Sequence, residues 1–409
     1  MTTARHAALA AATLTLLAAP APPASAASGH VGGGYHIVNA ETGQCLDIKL
    51  REQPCRGRTA ELRLEAAAAG QVHLVNGANR SSAEVTLTYA GGGKYQIADR
   101  LWTFRPVGGP RHWSGQADGF AAGTTGGEGG QVVTVTTQEE LNTYVTAAEP
   151  YIIKVAGPIE ISPKGTELKV ASNKTIIGVG TAGEIVGGGF FLGATTSNVI
   201  IRNLTIRDTL MPEDDPDDKD FDYDAIQIDS ATKVWIDHNR LARMNDGLLD
   251  SRKDATDITV SWNQFLDNNK TLGIGWTANL ITRMTLHHNW FARTNQRNPS
   301  GGNLLNMHMY SNYLQDIRSY GNWARGETKG VIEHSLFHNV ADPYFVDPAG
   351  ELVQRGNVVT GTSSWRDGLI KEQGAAFDPA SFYSYTLDPA TALPTLLAES
   401  SGPQPTIGL

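Results

Sequence analysis

Val234-Trp235-Ile236-Asp237-His238-Asn239-Arg240-Leu241, Ile258-Thr259-Val260-Ser261-Trp262-Asn263-Gln264-Phe265 and Met284-Thr285-Leu286-His287-His288-Asn289-Trp290-Phe291 are three versions of one phrase. Each is a short apolar run that ends at an asparagine and resumes with a second apolar piece. Upstream, Val199-Ile200-Ile201-Arg202-Asn203-Leu204-Thr205-Ile206 repeats it. Downstream follow Met307-His308-Met309-Tyr310-Ser311-Asn312-Tyr313-Leu314 and, with serine at the asparagine position, Val331-Ile332-Glu333-His334-Ser335-Leu336-Phe337. Matching positions are spaced by 36, 24, 26, 23 and 23 residues. A period of roughly two dozen residues with β-branched strands predicts a solenoid, and parallel β-helices have coils of this size. Amphipathic helices do not alternate with the strands, which argues against doubly wound and barrel α/β folds.

The first, wide gap must hold an insertion. Met211 to Asp222, with seven Asp or Glu in twelve residues, reads as a loop leaving the solenoid. Asn203, Asn239, Asn263, Asn289 and Asn312 read as a structural ladder at a tight turn, where stacked amides bond along the axis and tolerate the left-handed conformation. His238, His287, His288 and His308 read as stacking or core residues rather than metal ligands. Pro389 to Leu397 is at most a short helix interrupted by Pro394.

Beyond the solenoid, the chain of 409 residues is 40% apolar and carries 44 glycines, so it has material for a large core. Residues 1–26 read as a secretory signal: Arg5 and His6, an apolar run from Ala7 to Ala19, then Ala24-Ser25-Ala26 as a cleavage site. Later stretches are too short to span a membrane. Export without a membrane anchor is expected. Without the signal the net charge is −10, since only Arg5 is removed from a chain of −9. That acidity argues against nucleic acid as partner. Cys45 and Cys55, the only cysteines, fit one disulfide in an exported protein, with a metal site as the alternative. Residues 27–117 read as a small accessory segment of short strands, set off by glycine-rich joints from a continuous unit, 118–409.

Five aspartates, Asp224, Asp229, Asp237, Asp246 and Asp250, fall in consecutive coils. Residues one coil apart become neighbours, so Asp224 can meet Asp246 and Asp250. Converging dry carboxylates repel, and a hard divalent cation is their natural partner; oxygen ligands favour calcium. A solvated acidic face explains the spacing equally well. Lys270 and Arg297 follow one and two coils later, either as ordinary surface cations or as a groove lining for a polyanion.

Taken together, Gly119-Phe120-Ala121-Ala122-Gly123, Lys174-Thr175-Ile176-Ile177-Gly178, Val234-Trp235-Ile236-Asp237-His238, Asp246-Gly247-Leu248-Leu249-Asp250 and Thr259-Val260-Ser261-Trp262-Asn263 resemble the pectate lyases of polysaccharide lyase family 1 over 117–409. The resemblance implies an all-β, right-handed parallel β-helix that cleaves polygalacturonate by β-elimination. It assigns calcium (Ca2+) to Asp224, Asp246 and Asp250, a substrate carboxylate contact to Lys270, and the base to Arg297. An arginine base is chemically demanding, because guanidinium holds its proton unless desolvated beside positive charge. One position departs: where many members carry a second arginine, this chain has Gly302, with Arg293, Asn303 or Arg318 as possible substitutes. A lyase preferring partly methyl-esterified pectin is therefore one alternative. A β-helix hydrolase using Asp229, Asp237 and Asp246 is another, and a binding solenoid is a third. In 35–105, Tyr35 to Asp47 resembles one repeat of a ricin-type trefoil, though the segment is short for three; a structural cap is the plainer reading. The expected partner is pectin, met by a secreted, extracellular monomer.

Overall fold

The computed structural model of the chain describes residues 34–67, 71–107, 113–213 and 220–409; the predicted signal, 1–26, and part of the acidic insertion lie outside these. The coil period becomes three parallel sheets of ten, nine and eight strands, one strand per coil in each. The protein is a right-handed parallel β-helix with a small β-rich segment before it, as the sequence predicts.

Its core is a set of aligned columns. In the ten-stranded sheet Ile176, Ile201, Ile236, Val260, Leu286, Met309 and Ile332 pair in register from coil to coil. In the nine-stranded sheet Leu241, Phe265, Phe291, Leu314 and Phe337 do the same. These side chains are fully buried, each contributing about 1.5–3 kcal/mol. Gln138–Thr146 forms a nine-residue helix that sends Leu141 and Val145 into this core.

The asparagine ladder stands, with one correction. The Asn263 carboxamide accepts from the Asn239 N–H at 2.8 Å, Asn289 from Asn263 at 3.0 Å and Asn312 from Asn289 at 2.9 Å. Ser335 and Asn357 carry it further. Asn203 is not a rung. Arg202 pairs with Asp237, so Asn203 aligns with His238 and the true partner of Asn239 is Leu204. The left-handed residues are those just before each rung, His238, Trp262, His288 and Ser311, and Asn203 belongs with them. Asparagine there satisfies a backbone demand, whereas a rung satisfies an amide.

Strands from 34–67 and 71–107 build an antiparallel sheet, which Thr386–Leu387 joins by pairing with Glu61–Ala66. Cys45 and Cys55 form the predicted disulfide. The C-terminal helix, Leu393–Ser400, is begun rather than interrupted by Pro394, which sits in its first turn where an N–H has no helical partner to lose.

Candidate active site

Outward-facing side chains of the eight-stranded sheet make the site. Asp224 lies just before strand Ile226–Asp229, Asp246 and Asp250 belong to the next coil, Lys270 opens strand Lys270–Gly275, and Arg297 precedes Ser300–Gly302. Parallel register brings Gly247 beside Lys270 and Asp250 beside Gly273. The glycines between the carboxylates are required by space: a Cβ on Gly247 would lie 2.7 Å from Asp224 Oδ1 and 2.9 Å from Asp250 Oδ1. Backbone donors aim at the same oxygens, Gly247 N–H to Asp224 Oδ1 at 2.6 Å and Gly273 N–H to Asp250 Oδ1 at 3.1 Å.

Asp224 and Asp250 are almost wholly buried, 1% and 2% exposed. Burial, reinforced by Asp250 and Asp246, pushes the Asp224 carboxyl well above its usual range. Burial likewise raises Asp250 to about 6 against the pull of Arg297. Asp246 moves the other way: its burial is outweighed by a hydrogen bond with Asp222 and by the Lys270 ammonium, with which it forms an ion pair. The Arg297 guanidinium lies 4.0 Å from Asp250 Oδ2 and over the Trp276 ring at 5.3 Å. Of these five residues only Arg297 adopts a left-handed backbone, φ 62°, a conformation that costs a non-glycine residue energy and clusters at functional sites.

Two carboxylates here escaped the sequence reading as site members. Asp222 offers an oxygen within 4.8 Å of others from Asp224 and Asp246; it was legible only as the end of the acidic insertion. Glu167 accepts the Asp224 N–H at 3.2 Å, and its burial, with Asp222 nearby, raises it to about 8. Fifty-seven positions separate it from Asp224, so nothing in the local pattern marks it.

The donor set fits a hard cation. All contributing atoms are carboxylate oxygens, like charges crowd in a dry setting, and among the described residues nothing hydrogen-bonds the buried Asp224 Oδ2. Asp229 and Asp237 stand apart from it. Asp229 is engaged by Arg252 at 3.0 Å and Lys253 at 2.6 Å. Asp237 lies on the ten-stranded sheet, held by Arg202 and His238. The histidines are buried too, His288 against Asp388 at 2.8 Å and stacked on Trp262.

Of the substitutes suggested for the arginine missing at Gly302, Arg293 and Asn303 are otherwise occupied and Arg318 lies elsewhere. Arg293 bonds Asp267 at 2.7 and 2.9 Å, and with Arg318 it lines a different depression of about 570 Å³ near Asn268 and Asn269. The Asn303 amide is spent on Thr277 O and on the Glu327 N–H.

The sequence profile of the pectate lyase family matches residues 112–392. Among curated proteins, the pectate trisaccharide-lyase of Thermotoga maritima is 34% identical over 313 residues, covering 68% of this chain and 84% of its own. The pectate trisaccharide-lyase of Bacillus licheniformis is 35% identical over 307 residues, covering 69% and 85%. Among solved structures, a pectate lyase from Bacillus sp. N165 in complex with trigalacturonate superimposes with a TM-score of 0.59 at 30% identity, over 70% of this chain and 98% of that one. A pectate lyase from Paenibacillus sp. 0602, at 19% identity and a TM-score of 0.61, shares the fold.

Proposed function

The chain belongs to the pectate lyase family of polysaccharide lyases, and from that premise we propose a secreted, calcium-dependent enzyme that cleaves α-1,4-linked polygalacturonate by β-elimination, releasing 4,5-unsaturated oligogalacturonides. The observation that carries the calcium requirement is Asp224 Oδ2, buried and without a hydrogen-bond partner among the described residues, clustered with Asp222 and Asp246 and with Asp250 close enough to raise its carboxyl. Those four residues would hold the ion. When bound, calcium draws charge from the substrate carboxylate and so acidifies the adjacent C5 proton.

The chain's own groups do the rest. Lys270, released from Asp246, pairs with the substrate carboxylate and adds positive charge where the transition state is most negative. Arg297, within reach of the same cluster and in its neutral form, removes the C5 proton; the electron pair left on C5 forms the C4–C5 double bond as the C4–O4 bond breaks, and water protonates the departing O4. The Trp276 indole beneath Arg297 keeps the guanidine on one side of the groove and sheds water there. Residues 118–409 form the catalytic unit and 27–117 an accessory unit, and the chain acts as a monomer.

A second reading, partly methyl-esterified pectin as substrate, draws on Gly302 and on Trp276, half exposed beside Arg297, since an indole suits an uncharged ester. Hydrolysis has less support because Asp229 and Asp237 are each paired elsewhere.

The test is ultraviolet absorbance of de-esterified polygalacturonate with enzyme, first with calcium and then with a chelator. A rise that the chelator stops supports the proposal. New reducing ends without absorbance would move it to hydrolysis, and a rate that climbs with esterification would move it to the second reading.

A further inference from the structure

Beyond Arg297, away from the acidic cluster, the groove floor loses its side chains. Arg252 pairs with Gly275, a Cβ on Gly275 would lie 2.1 Å from Gly302 O, and Gly302 pairs with Arg325. Two successive rungs are therefore bare between two arginines. The opening is a depression of about 320 Å³ lined by Trp276, Thr277, Ser300, Gly302, Asn303 and Arg325. Trp276 is the ring under Arg297, so the depression continues directly from the candidate base.

The two arginines differ in what they hold. Arg252 is spent on Asp229. Arg325 is exposed and, among the described residues, has no ion pair or side-chain hydrogen bond. Its guanidinium lies over the Trp323 indole, Cζ 4.5 Å from the ring centroid. The indole itself is fixed, because Trp323 Nε1 donates to Asp347 Oδ1 at 2.8 Å. Asp347 also lines the depression, and its other oxygen accepts the Gly326 N–H at 2.8 Å, so both oxygens of that carboxylate are engaged. A planar cation seated over an aromatic ring, with its N–H groups free of partners among the described residues, suits bidentate recognition of a carboxylate. The 570 Å³ depression on the other side of the site also holds an exposed arginine, Arg318, but Asp267 and Asp316 line it beside the engaged Arg293 and no aromatic ring is part of its lining.

We propose that Arg325, held on Trp323, grips the carboxylate of a uronate residue lying beyond Arg297, and that the space left by Gly302 admits that sugar. This rests on the reading of the groove as a polyuronate site. It makes Arg325 the substitute that the sequence did not single out.

Calorimetric binding of tetragalacturonate, with calcium and in an Arg297→Ala background that prevents turnover, tests it independently of the reaction. Adding Arg325→Ala should weaken binding about tenfold or more, the scale of one charge-assisted contact, with Arg325→Lys intermediate. Gly302 has negative φ and a Cβ there meets nothing closer than 3.9 Å. Gly302→Arg added to Arg325→Ala should therefore recover most of the affinity. A Kd within twofold of the background overturns the role of Arg325. Loss that Lys94→Ala, an exposed cation on the antiparallel sheet, reproduces equally would overturn it too, as bulk charge. Absence of binding in the background itself overturns the subsite. Tetragalacturonate that binds as expected to a protein whose wild type yields no unsaturated product would instead refute the proposed reaction and leave the subsite standing.

Discussion

Two columns of polar side chains climb this molecule one coil at a time, and they differ in whether their atoms have partners. In the asparagine ladder Asn263 illustrates the rule. Its amide donates to Ile236 O at 2.9 Å and to Asn289, and its carbonyl accepts from Asn239. On the eight-stranded sheet Asp224 receives one backbone N–H on Oδ1 while Oδ2 has none, and its nearest neighbours carry the same charge. A satisfied polar column supports the scaffold; an unsatisfied, like-charged one is held in place by the scaffold for a ligand.

The comparison breaks most visibly under substitution. Arg297→Ala should reduce unsaturated product by roughly a hundred- to ten-thousand-fold, the usual contribution of a positioned base, with thermal unfolding unchanged. An active Arg297→Ala protein would remove it as the base. Asp224→Asn should also lose activity, by about a hundredfold, yet in chelator its Tm should equal or exceed that of the wild type, because a buried charge is removed without a change of shape. Asn263→Ala should do the reverse, costing about 3 kcal/mol by stranding ladder and backbone partners while any surviving folded protein turns over normally at low temperature. Equal Tm losses in the two variants would erase the distinction drawn here.

Acid should separate the regions by sign. His334 sits at the left-handed position beside the ladder, φ 45°, and burial lowers it from 6.5 to about 4. The folded state favours the neutral ring, so this contribution is complete above pH 6.5 and is lost as pH falls toward 4, by up to about 3 kcal/mol. The Asp250 carboxyl is raised to about 6; its contribution is present below the ordinary carboxylate range and is lost as pH rises toward 6. Unfolding of chelated protein between pH 4 and 6.5 measures both. His334→Asn should flatten the rise with pH, and Asp250→Asn should steepen it.

The coil period and the ladder were legible because each repeats in the sequence, and the period also brings Asp224, Asp246 and Asp250 together; the roles given to them and to Lys270 and Arg297 came from the family resemblance alone. What was not legible depends on register. Asn203 looked like a rung until Arg202 was seen opposite Asp237. Glu167 reaches Asp224 from two coils earlier, across the insertion. Arg325 meets Gly302 only because strands Ser300–Gly302 and Asn322–Arg325 pair; on the page it is one arginine after a tryptophan. Pro394 misled because a proline ends a helix or begins one depending on where the first turn falls.

Calcium titration of the wild type and of Asp224→Asn by calorimetry tests the central claim most directly. The account predicts saturable heat in the wild type and its loss, or a weakening of a hundredfold or more, in Asp224→Asn, with both proteins folded. Equal calcium affinity in the two proteins, or no binding by the wild type, would contradict it.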